Sequence, residues 1–375
     1  MNLPQDTWII PTQLFDGYTL SNDSAIHMVD GVVRAIAPIN DIPQDGLITQ
    51  LTGILSPGFF DIQINGGGNV LFNSSPNCEG LSRIATAHRA GGTTHWLPTV
   101  ITDAPEVLEA ACDAILECIG KFGIAGIHIE GPHLAIERKG THKSHWIRPF
   151  DAHTYNQIER LRARDIPVLI TLAPETMQPG QVASLVALGA VVSIGHTNAT
   201  AAQTKQTLAE GAQLFTHLFN AMSQIENRAL NVVGTAINSD QYCSIIVDGL
   251  HVDLGLVGLA TRARPVADRM IIVSDAMPTV GGDAEFMLYG NTVKLHEGRL
   301  VNNEGSLAGA HITMLEELHN MVHKVGVPLQ DALRMTTSNP ATLMGFKDIG
   351  RITPNMRADL LLLDPDLKFL SVLEV

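Results

Sequence analysis

From about residue 57 onward the chain repeats one rhythm. A short, nearly continuous apolar run is followed by a longer segment in which apolar residues recur every three or four positions. A continuous apolar run suits a strand covered on both faces, and the helical recurrence suits the element that covers it, so the pattern predicts βα units and a parallel sheet. Eight strands are expected, over 57–65, 93–101, 124–130, 166–173, 190–196, 213–218, 243–249 and 270–275, with helices such as 104–120, 151–164, 199–210 and 254–263 between them. Eight units are the number that closes a (β/α)8 TIM-type barrel.

The ends of the chain follow another pattern. Residues 1–55 read as short β segments punctuated by Gly and Pro, namely TWIIPTQLFDG, AIHMVDGVVRAIAPI and the start of LITQLTGILSPG. The final RADLLLLDPDLKFLSVLEV returns to β character. The expectation is a small discontinuous β-sandwich domain, built from 1–55 and 350–375, beside a barrel spanning 56–349. An insertion over 283–308 carries strand-like pieces, FMLYGNTVKL and GRLVNN, and helices over about 311–324 and 328–337 follow it.

Composition narrows the partners. A chain of 375 residues, 45% of them hydrophobic, can bury a large core. Its formal charge of −14 sets up a field that repels polyanions, which argues against nucleic acid or an anionic membrane as partner. A small anionic ligand would need a local cationic pocket. No apolar run approaches the roughly 18 residues of a membrane span, and MNLPQDTWII has no basic stretch ahead of its apolar residues, so a cytoplasmic protein is expected. The cysteines, Cys78, Cys112, Cys118 and Cys243, are scattered without a C-x-x-C pair; reduced, mostly buried thiols are expected.

In a βα barrel the reactive side chains come from the C-terminal ends of the strands. Strand three ends in IHIEGPH with Glu130, strand five in SIGHTNAT with His196, strand six in THLFNAM with His217, and strand eight in VSDAM with Asp275. One carboxylate and two neutral imidazoles form a plausible catalytic zinc set with a position left for water. Asp275 is then the natural general base, accepting a proton from attacking water and passing it to a departing nitrogen. Taken singly, each has a structural alternative: a packing histidine, a capped turn or a solvated carboxylate. Four on four strand ends are harder to dismiss. His133, His145 and His153, near loops after strand three, are expected to bind nothing; Gly66 to Gly68 and Gly281 to Gly282 are expected to make tight turns; Glu175 has no evident partner.

These motifs, together with PGFFDIQINGGG, KGTH, IVDGLHVD, GSLAGA and SNPA, resemble the amidohydrolase superfamily, and within it the N-acetylglucosamine-6-phosphate deacetylase family, over essentially the whole chain. Most of that superfamily places His-x-His at the end of the first strand to hold one of two metals. Here the pair is Gln63 and Asn65. The resemblance implies a single divalent metal, zinc foremost and iron, cobalt or manganese as alternatives, held by Glu130, His196 and His217. Gln63 and Asn65 then order the site without coordinating. It further implies His142 at the acetamide or its developing oxyanion, and Asn220 and Ala221 around the sugar or phosphate. His251 and Arg228 would contact the phosphate, the arginine reaching from the neighbouring subunit of a homodimer. The implied reaction is hydrolysis of N-acetylglucosamine 6-phosphate to glucosamine 6-phosphate and acetate. The rivals are the galactosamine epimer, another amidohydrolase reaction, and a barrel that only binds.

Overall fold

The structure is a computed structural model that describes residues 4–43, 45–302, 305–356 and 359–373. The expected barrel strands appear in sequence order as Phe59–Ile64, Thr93–Ile101, Ile127–Glu130, Val168–Leu172, Val191–Ile194, Leu214–Phe215, Tyr242–Ile245 and Met270–Ile272. Every neighbouring pair is parallel. The barrel closes where Ile64 bridges Ala276, and the amides of Asn65 and Gly66 both donate to the Ala276 carbonyl at 3.0 Å.

Each apolar run divides between two environments, which is why it is continuous rather than alternating. Phe60, Leu97, Leu169, Val191, Leu214 and Ile271 pack with one another inside the barrel. Trp96, Val168, Ile170, Val192 and Phe215 belong to the larger core with helix residues such as Leu108, Ile115 and Ile158. A polar layer crosses the strands as well. His128 Nε2 lies 2.7 Å from the Thr171 hydroxyl, Thr171 lies 2.7 Å from Thr216, and Thr216 lies 2.5 Å from Ser193. All four residues are buried, so the chain of hydrogen bonds offsets the cost of removing them from water.

Helix limits follow their caps. Asp151 accepts from the Thr154 amide to start Ala152–Arg162, and Thr200 with Gln203 forms a capping box before Ala201–Ala209. The helix expected from 311 starts at Met314, because Thr313 and Glu316 cap it there, and it ends in a wide turn over Met321–Val325 that closes on Gly326. The helix Cys78–Arg89 starts at an Asn77 cap.

The N- and C-terminal β segments join in one mixed seven-stranded sheet. Asp6–Phe15 pairs antiparallel with Ser24–Val29 and parallel with Ile48–Pro57, and Leu360–Leu363 pairs antiparallel with residues 54–57. Residues 357, 358, 374 and 375 of the final segment lie outside the described residues. Gly53 is needed where Leu360–Leu363 meets Ile48–Pro57: its φ is +133°, and a Cβ there would sit 2.3 Å from the Leu363 carbonyl oxygen. The insertion forms a separate antiparallel sheet, Glu285–Leu288, Asn291–His296, Arg299–Val301 and Leu307–Ala310, whose last strand returns to the barrel rim through an Ala310 to Ala276 bridge.

The cysteine expectation needs a correction. Cys78 and Cys118 form a disulfide with Cα atoms 5.9 Å apart, because the start of helix 78–89 meets the end of helix 105–118; Cys112 and Cys243 are free and buried. Among the described residues no helix is long and apolar enough to cross a membrane.

One carboxylate ties the last strand to the first. Asp61 accepts from the Ser274 hydroxyl at 2.5 Å and from the amides of Ser274 and Gln63 at 3.2 and 3.0 Å. Burial pushes its carboxyl up to about 7, with these hydrogen bonds offsetting only part of the effect. An unfolded Asp titrates near about 3.9, so this group's contribution is fully present below that pH and is lost as pH rises towards about 7. The Asp61→Asn variant lacks this slope. Urea unfolding at pH 5 and pH 8 should therefore show the variant gaining on the parent at the higher pH; an equal difference at both values would refute the linkage.

Candidate functional site

Five strand ends deliver polar side chains into one cavity of about 310 Å³ at the C-terminal mouth of the barrel. At the centre is Glu130, 2% exposed. Its Oε1 lies 3.2 Å from His196 Nε2 and 3.0 Å from His217 Nε2, and the two imidazole nitrogens are 3.1 Å apart. Gln63 donates through Nε2 to Glu130 Oε1 and to Asp275 Oδ1, both at 3.2 Å, and Asn65 donates through Nδ2 to the same Asp275 oxygen at 2.7 Å. Both first-strand amides therefore present N–H groups to carboxylates.

The backbone is strained where it delivers these groups. His196, His217 and Asp275 have φ of 48°, 34° and 47°, left-handed values that cost a non-glycine residue about 1–3 kcal/mol each. Such values turn the side chain inward just past the strand, and they persist because the surroundings fix them. Glu175 supplies one of those fixings: its carboxylate accepts from the Thr197 hydroxyl at 2.5 Å and the Asn198 amide at 2.6 Å, pinning the loop that follows His196. Behind strand seven, Glu317 accepts from the Val247 amide at 3.2 Å and Asn320 donates to the Val247 carbonyl at 2.8 Å.

The electrostatics centre on the same carboxylate. Burial alone would raise the Glu130 carboxyl, but the hydrogen bonds and charges of His196 and His217 outweigh it and hold the group well below the usual range. His217 is the counterpart: burial works against its charged form, yet the Glu130 hydrogen bond lifts it above the ordinary value. Asp275 is pushed up to about 6, first by burial and then by the charge on Glu130. His142 is buried and neutral, driven down to about 3 by burial and by His196.

These residues fit a metal by the chemistry of their donors. His196 Nδ1 is 2.9 Å from the Arg138 carbonyl, an acceptor only, so a neutral His196 carries its hydrogen on Nδ1 and offers the Nε2 lone pair to a cation, whereas a protonated one donates Nε2–H to Glu130. An imidazole lone pair and a carboxylate oxygen 3.2 Å apart repel unless positive charge lies between them. The donor atoms of Glu130, His142 and His196 lie within 4.8 Å of one another, so His142 stands close to the same point.

The remaining expected residues divide. His142, Asn220, Ala221 and His251 line the cavity together with Asn65 and Asp275. His251 is held by Asp248, whose Oδ2 accepts from Nδ1 at 2.6 Å while Oδ1 accepts from the His251 amide at 2.8 Å. Arg228 is exposed on its loop and does not line the cavity of its own chain. Arg138 does line it, as do Ser306, Leu307 and Gly309 from the insertion. Arg138 lies on the loop after strand three, well past Glu130, and carries no metal-ligand chemistry, so the sequence pattern did not single it out. His133, expected on an exposed loop, is fully buried, with its ring 3.0 Å from the Thr154 hydroxyl and 3.1 Å from the Arg148 carbonyl.

The chain is similar to known proteins over nearly its whole length. An N-acetylgalactosamine-6-phosphate deacetylase of Shewanella sp. (strain ANA-3) is 39% identical over 364 residues, covering 94% of this chain and 91% of the relative. An N-acetylglucosamine-6-phosphate deacetylase of Haemophilus influenzae is 33% identical over 366 residues, covering 96% and 95%. The crystal structure of N-acetylglucosamine-6-phosphate deacetylase from Pasteurella multocida superposes with a TM-score of 0.91 at 34% identity, over 97% of both chains. The profile of the amidohydrolase family matches residues 54–374, and the chain belongs to that family.

Proposed function

We propose that the protein hydrolyses the acetamide of N-acetyl-D-glucosamine 6-phosphate, giving D-glucosamine 6-phosphate and acetate. The observation that carries this reading is the convergence of Glu130, His196 and His217 on one point beside Asp275, in a chain related over nearly its whole length to hexosamine-phosphate deacetylases. One divalent ion, zinc foremost, would be held by Glu130, His196 and His217. When bound it supplies Lewis-acid polarisation of the amide carbonyl and a water of lowered pKa.

The side chains do the rest. Asp275 takes the proton of the attacking water and delivers it to the amine as the C–N bond breaks; a carboxyl raised towards neutrality suits both transfers. Gln63 and Asn65 hold its Oδ1, which leaves Oδ2 for the proton. His142 faces the acetamide oxygen. At the far end, Asn220, Ala221 and His251 receive the sugar and its phosphate, so that remote binding energy orients the amide.

The phosphate requires cations, and Arg138 is the single arginine or lysine among the described residues lining the cavity. Arg228 would add a second guanidinium from the neighbouring subunit of a homodimer. The setting proposed is the cytoplasm, where charge retains phosphorylated sugars. The galactosamine epimer is a specific second reading, favoured by the 39% identity to the Shewanella enzyme. The two sugars differ in the orientation of one hydroxyl.

Acetate release from both epimers, each with and without the 6-phosphate, tests the reading on protein of counted metal content. The expected result is activity on a phosphorylated sugar only, with about one metal per chain; silence on all four would refute a deacetylase. The Asp275→Asn variant should lose at least about a thousandfold in kcat while still binding substrate, since it removes the proton carrier and keeps the shape; loss of binding as well would make Asp275 structural. His196→Ala should lower metal content together with rate, and full occupancy in that variant would strike His196 from the ligands. Arg138→Ala should raise KM for the phosphorylated sugar about tenfold or more with little change in kcat. A fall in kcat with KM unchanged would place Arg138 away from the phosphate.

A further inference from the structure

We propose that Thr102, at the end of the second barrel strand, is a positioning residue that fixes the ring tautomer of His142, so that His142 presents an Nε2–H donor to the acetamide oxygen. The role assigned to the donor rests on the deacetylase reading; the tautomer itself does not.

Three imidazoles crowd the cavity, with ring centroids 4.4 Å apart for His142 and His196 and 4.9 Å apart for His196 and His217. Left to themselves they are chemically alike. What distinguishes His196 from His142 is the partner of Nδ1. For His196 that partner is the Arg138 carbonyl, which can only accept, so a neutral ring carries its hydrogen on Nδ1 and its Nε2 is a lone pair fit for a metal. For His142 it is the Thr102 hydroxyl, 2.8 Å away, which has a proton to give.

That proton has two acceptors within reach. One is His142 Nδ1 at 2.8 Å; the other is the Glu130 carbonyl at 3.4 Å, long for an O–H···O bond. Either group can supply the proton of the 2.8 Å bond, and the weak competing acceptor leaves the hydroxyl free to supply it. The ring's other nitrogen then carries its one hydrogen on the side where His142 stands beside the Glu130 carboxylate, which a hydrogen attracts and a lone pair would repel, so Nδ1 is the acceptor. His142 is thereby unsuited to coordinate through Nε2, although it stands beside Glu130 and His196. It is suited to donate to an oxygen on which negative charge develops.

The surroundings hold Thr102 in place to do this. It is 1% exposed. Gly131, at φ +84°, has no Cβ because one would lie 2.2 Å from the Thr102 hydroxyl oxygen, so backbone packs directly against that group. Tyr289, which follows the first strand of the insertion, donates its hydroxyl to the Thr102 carbonyl at 2.5 Å. The insertion thus anchors the end of strand two.

The test combines two variants with a spectroscopic readout. ¹⁵N NMR of histidine-labelled, zinc-loaded protein should show His142 as the Nε2–H tautomer, and Thr102→Val should abolish that preference. Thr102→Val should also lower kcat about ten- to a hundredfold with unchanged metal content and little change in KM, while Thr102→Ser, which keeps the hydroxyl, should stay within about threefold of the parent. An Nδ1–H tautomer in the unaltered protein would overturn the proposal whatever the variants do. Full kcat in Thr102→Val, or equal losses in the Val and Ser variants, would overturn it as well, the latter making Thr102 a packing residue. Should the unaltered protein release no acetate and still show Nε2–H, the deacetylase reading fails and the tautomer assignment stands.

Discussion

A carboxylate taken out of water must be paired, and at the mouth of this barrel the carboxylate is Glu130. Its Oε1 is approached by two imidazoles and one amide, each from a different strand end. Desolvation of an ionised group costs several kcal/mol, so the arrangement is tolerable only when those partners are held to a few tenths of an ångström. That requirement explains the strained φ angles at His196 and His217, the anchoring of the 197–198 loop by Glu175, and the carbonyl of Arg138 placed behind His196.

The barrel supplies this rigidity in tiers. An apolar plug built around Phe60, Leu97 and Leu169 fills the interior, the hydroxyls of Thr171, Thr216 and Ser193 with His128 cross the strands, and the site residues stand at the strand ends. The middle tier matters because hydroxyls and one imidazole can close a hydrogen-bond chain with neutral groups. His128 illustrates the point: burial drives it down to about 4, so it stays neutral although Glu130 lies two residues away. A charged layer there would compete with Glu130 for the histidines above.

How much of this could be read from the chain depended on periodicity. The barrel strands announced themselves as apolar runs, and strand-end position picked out Glu130, His196, His217 and Asp275, because inward-turned polar residues there interrupt an otherwise apolar pattern. The small β module was legible as Gly- and Pro-punctuated segments, but the pairing of 360–363 with 54–57 joins residues some three hundred positions apart, and no local pattern encodes such a register. Thr102, Arg138 and Glu175 were illegible as site residues for the same reason. Their roles lie in what they touch across the fold, and threonine, arginine and glutamate are ordinary in loops. The Cys78 to Cys118 pairing belongs with them, since it depends on how two helices meet.

The amide pair at the end of the first strand follows from the same economy of charge. A His-x-His pair would bring more lone pairs beside Glu130 and Asp275, and acceptors facing two carboxylates call for a second cation. Gln63 and Asn65 instead bring N–H groups: three donor contacts to Glu130 and Asp275 at 2.7 to 3.2 Å. Those donors do locally what a second cation would do, stabilising Asp275 as an anion without adding net charge. An aspartate bound by amides keeps an oxygen available for protons, whereas one bound to a metal is a poorer base. On the proposed reading, replacing imidazoles by amides at this strand end removes the need for a second metal and leaves the general base free to act.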